Sequence, residues 1–309
     1  MPSPLGRRDT SLTERELHRA HVRRQLADLG VRPSKRLGQN FLTDPTVAQR
    51  IADEALRESA NCLVEIGPGL GSITRCLCRS HAPIVAVEVD RRLAEHLARE
   101  FAGCPAVEIR AQDVLTIDLV EVAGRHGGSL TVVGSVPYSI TAPILKWIVS
   151  NRAVILSAVL VTQREVADKI AASPGKDGSS LGVYLQAYAD VAVIGRVPRG
   201  AFFPIPEVDS SLWTVHFGCP RRFSASEGAF FAVVRTLYGS RRKTTRNALR
   251  RLLPAEDVDR VLERANVPGI VRGETLRFPE LDAVAREVEA LDRLRGGVLG
   301  GESGGMPDL

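Results

Sequence analysis

Three acidic side chains and a run of glycines stand where a nucleoside-bearing ligand could be held. The apolar run 62–66 ends in Glu65-Ile66-Gly67-Pro68-Gly69-Leu70-Gly71. Glycines directly after a parallel strand let the backbone turn tightly and approach a ligand closely. The next apolar run ends in Glu88, at the offset where a carboxylate can accept hydrogen bonds from ribose hydroxyls. A third run is followed by Gln112-Asp113-Val114, and an acid there can accept a hydrogen bond from an adenine amino group. Each acid alone reads as a strand-end surface charge. In register after successive strands, they read as a binding set.

Spacing narrows the ligand. The dinucleotide fingerprint G-x-G-x-x-G, counted from Gly67, would put its third glycine where Ser72 stands. The pattern here is G-x-G-x-G, the arrangement of methyltransferases that use S-adenosylmethionine (SAM). A fourth apolar run ends in Gly134-Ser135-Val136-Pro137-Tyr138. The lone pair of adenine N6 is delocalised into the ring, so an enzyme that methylates it needs acceptors for its two N–H groups. It also needs an apolar clamp to hold an extruded base in line with the methyl donor. Ser135 Oγ and the Val136 carbonyl can serve as acceptors, Pro137 fixes the turn, and Tyr138 can stack on the ring. Without the upstream loop, the same residues would read as a strand-end turn with a packing tyrosine.

These residues need a scaffold that lines up strand ends. Short Val/Ile/Leu-rich runs at 62–66, 84–89, 107–110, 130–134 and 156–161 alternate with helical stretches such as 72–80 and 91–101. That alternation predicts an α/β fold, a parallel sheet covered on both faces. Two later runs, 187–197 and 211–217, have no long helix between them and predict an antiparallel pair closing one sheet edge. From about 224 the pattern is helical, with helices expected over 226–238, 241–253, 256–265 and 280–294. Residues 1–32 read as a basic N-terminal extension holding a helix that ends at Gly30. Its arginines, Arg15, Arg19, Arg23 and Arg24, suit either RNA or a solvated face. The Gly-rich residues 296–309 predict a disordered tail.

The 309 residues are enough to bury a substantial core, and the hydrophobic and charged fractions, 44% and 25%, are ordinary for a globular protein. No run approaches the roughly 18 apolar residues of a membrane span, so no membrane partner is expected. The N-terminus lacks the apolar stretch of a secretion signal. Five scattered cysteines argue against a disulfide framework, and none has zinc spacing, so reduced thiols, no metal and a cytoplasmic location are expected. A net charge of +5 hints only mildly at a polyanionic partner.

Taken together, the motifs resemble those of the ribosomal RNA adenine N6,N6-dimethyltransferases, the family of KsgA and the Erm resistance enzymes. Lys35-Arg36-Leu37-Gly38-Gln39-Asn40-Phe41-Leu42 is similar to the family's N-terminal motif, which closes over the methionine end of SAM. Glu65 to Gly71, Glu88, Asp113 and Ser135 to Tyr138 fall at the family's spacings. Phe203-Pro204-Ile205-Pro206-Glu207-Val208-Asp209-Ser210 resembles its F-x-P-x-P-x-V-D-S loop, and Arg241-Arg242-Lys243-Thr244-Thr245-Arg246-Asn247 its R-R-K stretch. The resemblance covers roughly 33–280. At the first position of the catalytic motif the family usually has Asn, where this chain has Ser135.

The resemblance implies a Rossmann-like SAM-dependent methyltransferase domain over 33–217 and a small all-helical RNA-binding domain over 224–295. It implies SAM as cofactor, held by Gln39, Asn40, Leu42, Glu65, Gly67, Gly69, Gly71, Glu88, Asp113, Val114 and Ser135. Catalysis would fall to Ser135, Val136, Pro137 and Tyr138. Arg241, Arg242, Lys243 and Arg246, with Arg250 and Arg251, crowd one predicted helix and suit phosphate contacts. The implied substrate is a pair of adjacent adenosines in a hairpin loop near the 3′ end of small-subunit rRNA, met as RNA or as an immature 30S-type subunit, by a monomer. Two rivals stand beside it, an Erm-like large-subunit methyltransferase and a non-catalytic RNA-binding assembly factor.

Overall fold

The structure, a computed structural model, describes residues 14–34, 36–137, 140–240 and 242–294. Lys35, Tyr138, Arg241 and the tail 296–309 lie outside these residues. Among the described residues the strands are β1 (Phe41–Leu42), β2 (Cys62–Ile66), β3 (Ile84–Glu88), β4 (Val107–Ala111), β5 (Leu130–Ser135), β6 (Ile155–Gln163), β7 (Asp190–Val197), β8 (Phe202–Phe203) and β9 (Ser210–His216). Seven of them form one sheet in the order β4-β3-β2-β5-β6-β9-β7. The first five are mutually parallel, and β9 pairs antiparallel with both β6 and β7. The strand order reverses between β2 and β5, which is where open α/β sheets bind ligands at their carboxyl ends.

Helices α2 (Pro45–Ala55), α3 (Ser72–Leu77), α4 (Arg91–Glu100), α5 (Leu119–His126), α6 (Thr141–Ser150), α7 (Arg164–Ala171) and α8 (Ser180–Gln186) flank the sheet. Side chains alternate across each strand. Cys62, Val64 and Ile66 of β2 face a core that includes α5 and α6, whereas Leu63 faces the core under α2 and α3. Several helix starts are set locally. Asp44 accepts from Thr46 N and Val47 N ahead of Pro45, Asp90 from Arg92 N, and Asp118 from Val120 N and Glu121 N.

Beyond 224 lie α9 (Glu227–Tyr238), α10 (Thr245–Leu249), α11 (Ala255–Arg264) and α12 (Phe278–Leu294). Phe223, Phe230 and Phe231 join Tyr184 and Tyr188 in one aromatic cluster, so these helices share a core with one sheet face. One expectation needs correction. The helix over 241–253 is only five residues long. Thr244 caps it, after Thr244 and Thr245 have been drawn into pairing with Arg272 and Val271, and Arg242 and Lys243 fall on the turn before it. In the N-terminal extension the described residues hold the helix expected to end at Gly30. Helix α1 (Glu14–Asp28) docks through Val22 and Leu26, and Gly30 ends it with φ 64°. None of the described helices is long and apolar enough to cross a membrane.

Candidate active site

A cleft opens at the carboxyl ends of β2, β3, β4 and β5. Of the sequence-predicted residues it brings together Gln39, Asn40, Leu42, Gly67, Gly69, Glu88, Asp113, Val114, Ser135, Val136 and Pro137 along its wall. Glu88 ends β3 and is 4% exposed. Its Oε2 accepts from Gly69 N at 3.0 Å and its Oε1 from Asp90 N at 3.0 Å. Each oxygen therefore keeps a lone pair for a ligand hydroxyl. Burial pushes the Glu88 carboxyl above the usual range, against the backbone donors of Asp90 and Gly69. Asp113 Oδ1 accepts from Leu115 N at 3.0 Å. The Gly69 backbone has φ 60°, and a Cβ there would lie 3.1 Å from Phe41 Cδ1, so both conformation and space require glycine.

Two predicted residues do not reach the wall. Glu65 alternates onto the α2–α3 side of the sheet and is 1% exposed. Its Oε2 accepts from Thr74 Oγ1 of α3 at 2.7 Å, while its Oε1 has no hydrogen-bond partner among the described residues. Gly71 starts α3 with φ 77°, and a Cβ there would meet Phe101 Cε2 at 2.9 Å, so it serves the packing of α3 against α4.

The segment before β1 is a self-bonded loop. Gln39 Oε1 accepts from Ser34 N at 2.9 Å, Gln39 N donates to Ser34 O, and Asn40 Nδ2 donates to Gly38 O. Gln39 Nε2 reaches Asp90 Oδ2 at 3.5 Å. The loop runs into β1, which pairs antiparallel with β8 so that Phe41 faces Phe203 and Leu42 faces Phe202. Across the cleft, Ser135 closes β5 and is half-buried, and its Oγ makes no hydrogen bond among the described residues. Val136 N donates to Val161 O at 2.9 Å, and the Pro137 carbonyl accepts from Ile140 N and Thr141 Oγ1. The turn is thus fixed from both sides, and a small polar side chain is left at the cleft.

With this geometry in place, comparison with known proteins is decisive. A match to the family described as "Ribosomal RNA adenine dimethylase" spans residues 31–281. The chain belongs to the ribosomal RNA adenine dimethylase family. It is a SAM-dependent adenine dimethyltransferase acting on rRNA. The "Ribosomal RNA small subunit methyltransferase A" of Magnetococcus marinus is 36% identical over 270 residues, covering 87% of this chain and 96% of the relative. That of Geobacter metallireducens is 38% identical over 268 residues, covering 85% and 98%. Among solved structures, the 23S rRNA methyltransferase ErmE is 26% identical with a TM-score of 0.64, covering 81% of this chain and 99% of that one. A dimethyladenosine transferase from Plasmodium falciparum shares the fold at 18% identity and a TM-score of 0.66, covering 83% and 98%.

The residues of this dimethylase fit its cofactor. Two carboxylates at strand ends keep acceptor capacity toward a cleft lined mainly by apolar side chains, with Gln39, Asn40, Gln112 and Ser135 adding polar groups. Sequence reasoning missed part of the wall: Leu70, Val89, Leu93, Ile140 and Phe202. Val89 alone carried a signal, as an apolar residue placed directly after the ribose-type acid and left 51% exposed.

The buried Glu65 of the dimethylase predicts a pH effect on stability. Burial pushes its carboxyl from the ordinary 4.5 to about 7, only partly offset by the Thr74 bond. Between those values the folded chain holds the proton and the unfolded chain does not, so stability falls as pH rises through that window. Above about 7 the full cost is present. Glu65→Gln keeps a hydrogen-bonding group beside Thr74 and removes the ionisation. Its stability relative to wild type should rise from pH 5 to pH 8 by roughly 1–3 kcal/mol, read from denaturant unfolding at each pH without cofactor. A pH-independent difference would rule out a buried, ionising Glu65.

Proposed function

We propose that this dimethylase converts two adjacent adenosines, in a hairpin loop near the 3′ end of small-subunit rRNA, to N6,N6-dimethyladenosine. It does so as a cytoplasmic monomer acting on the immature subunit. The observation that carries the reading is that Ser135, Val136 and Pro137 share one cleft with Glu88 and Asp113. Methyl acceptor and methyl donor are then held side by side by one chain. Relatives bearing the small-subunit name match most of both chains, which favours that target over the large subunit.

SAM supplies an electrophilic methyl group on a sulfonium. The chain's part is to bind and to orient. Glu88 accepts from the ribose hydroxyls, Asp113 with Val114 meets the cofactor's adenine, and the loop bearing Gln39, Asn40 and Leu42 covers the methionine end. Glu65 and Gly71 support this set from behind the wall, Glu65 under α3 and Gly71 at its start. Ser135 Oγ and the Val136 carbonyl accept from the two N6 hydrogens of the target base, which turns the nitrogen lone pair toward the methyl group. Pro137 fixes that geometry and Tyr138 stacks on the base. The unit 33–217 carries the chemistry and 224–295 the RNA grip.

Arg242, Lys243 and Arg250 are exposed and have no ion pair among the described residues. By contrast Arg246 Nε is paired with Asp259 Oδ1 at 2.8 Å, and Arg251 Nη1 donates to Ser240 Oγ. Of the arginines proposed to grip RNA, Arg242 is therefore freer to neutralise phosphate than Arg246, and Lys243 joins it.

The test is incubation of labelled SAM with small subunits lacking the modification, and in parallel with large subunits. Label should enter small-subunit rRNA as dimethyladenosine, and label in the large subunit alone would overturn the target. In the same system, replacing Arg242 and Lys243 with alanine should weaken RNA binding. The log–log salt slope should fall by roughly 0.7–0.9 per lost contact, with SAM affinity unchanged.

A further inference from the structure

The N-terminal helix precedes the residues that match the family, yet it packs behind the cofactor cleft. Its buried side chains, Val22 and Leu26, lie one helical turn apart, and Val31 follows after the Gly30 turn. They form a separate small core with Phe41, Leu70 and Leu93. Those last three side chains also line the cleft. One side of the cleft wall therefore has α1 as its backing instead of the main sheet core. Two polar ties fasten this backing. Arg92, at the start of α4, donates from Nη1 to the Gly30 carbonyl at 2.6 Å, and Arg15 Nε lies 3.5 Å from Asp44 Oδ2. Gly30 N bonds back to Ala27 O and Val31 N to Leu26 O, which turns the chain from the helix into the 34–40 loop.

We infer that α1 is a positioning brace that sets the closed position of the loop 36–42 against the cofactor. The inference rests on the reading of this cleft as the SAM site. The loop's own bonds are short-range, Ser34 to Gln39 and Gly38 to Asn40, and fix its shape but not its place. Its outward ties include the Gln39–Asp90 contact, the bond from Ser72 Oγ to Leu42 O at 2.8 Å, the β1–β8 pair and the packing of Phe41. Phe41 lies between α1 and Gly69, whose φ of 60° favours glycine and where a Cβ would come within 3.1 Å of its ring. Without α1, Phe41 loses its outer packing and the loop loses its stop. The open and closed loop positions then differ less in energy, and the cofactor leaves faster.

The full-length chain is tested with Val22→Ser combined with Leu26→Ser, with Leu26→Met, and with Arg92→Ala. SAM affinity and release rate are measured by calorimetry and stopped flow, and amide exchange is followed at Leu37, Gln39 and the α1 residues. The double variant should bind SAM about 5- to 150-fold more weakly, mostly through faster release, with faster exchange at Leu37 and Gln39. Turnover at saturating SAM should stay within about twofold, and Leu26→Met should match wild type. Faster exchange confined to α1, with unchanged SAM release, would overturn the brace. Should the double variant not fold, Arg92→Ala decides alone. It keeps the apolar contacts and should still speed SAM release by roughly threefold. An unchanged rate overturns the proposal. A wild type that binds no SAM overturns the cofactor reading itself, which separates the two failures.

Discussion

Replacing Ser135 with alanine should cut methyl transfer by roughly 10–1000-fold while leaving SAM affinity nearly unchanged, the scale of losing one oriented polar group at a reacting atom. Ser135 is the last residue of β5, held by its register with Val161 of β6. Its backbone position is therefore fixed whatever side chain it carries. Its hydroxyl makes no hydrogen bond among the described residues and is available to a substrate N–H. Serine reaches less far than the asparagine usual in the family, and a bridging water can span the difference. Ser135→Asn should accordingly keep activity or raise it. Methylation of unmodified small subunits by wild type and both variants is the measurement. Wild-type turnover by Ser135→Ala would remove the hydroxyl from the mechanism.

The second large effect belongs to Glu88. Glu88→Ala should weaken SAM binding by roughly 10–100-fold, since a charge-assisted acceptor contributes about 1.5–3 kcal/mol. The substitution also frees Gly69 N and Asp90 N, which the two carboxylate oxygens now hold, so the glycine loop and the start of α4 loosen together. Glu88→Gln keeps one acceptor oxygen and should fall between the two. Because burial raises the carboxyl's pKa, wild-type affinity should decline as pH falls and the acid takes up a proton, whereas Glu88→Ala should show no such decline. Calorimetry across pH reads both, and equal affinities for wild type and alanine variant would displace Glu88 from the ribose.

How much of this was legible in the sequence depends on the range of the forces involved. The run Cys62–Ile66 and its glycine loop could be read because a strand buried on both faces is continuously apolar, and because its turn needs residues without a side chain. The same apolar continuity hid the function of Glu65, whose direction is set by strand alternation and whose partner, Thr74, lies on α3. The helix expected over 241–253 followed from helix-forming residues and spaced leucines. The structure shortens it because Thr244 and Thr245 bond to Arg272 and Val271, a pairing no local pattern reveals. Strands β1 and β8 have two residues each, too few for any periodicity, yet they form one flank of the cleft. The docking of α1 was hidden because its apolar stripe is only Val22 and Leu26, too narrow to stand out among exposed arginines.

The aromatic cluster that ties α9 to the sheet has a mechanical consequence. Phe223 stacks on Phe230 with ring centroids 4.2 Å apart, and Phe231 meets Tyr184 at 4.8 Å, so packed rings join α9 to α8 beside the sheet. If Arg242 and Lys243 grip RNA and Ser135 receives the base, as proposed, the packed rings between them oppose any change in their spacing. That spacing would then favour a hairpin of matching length, with no need to read the bases of the stem.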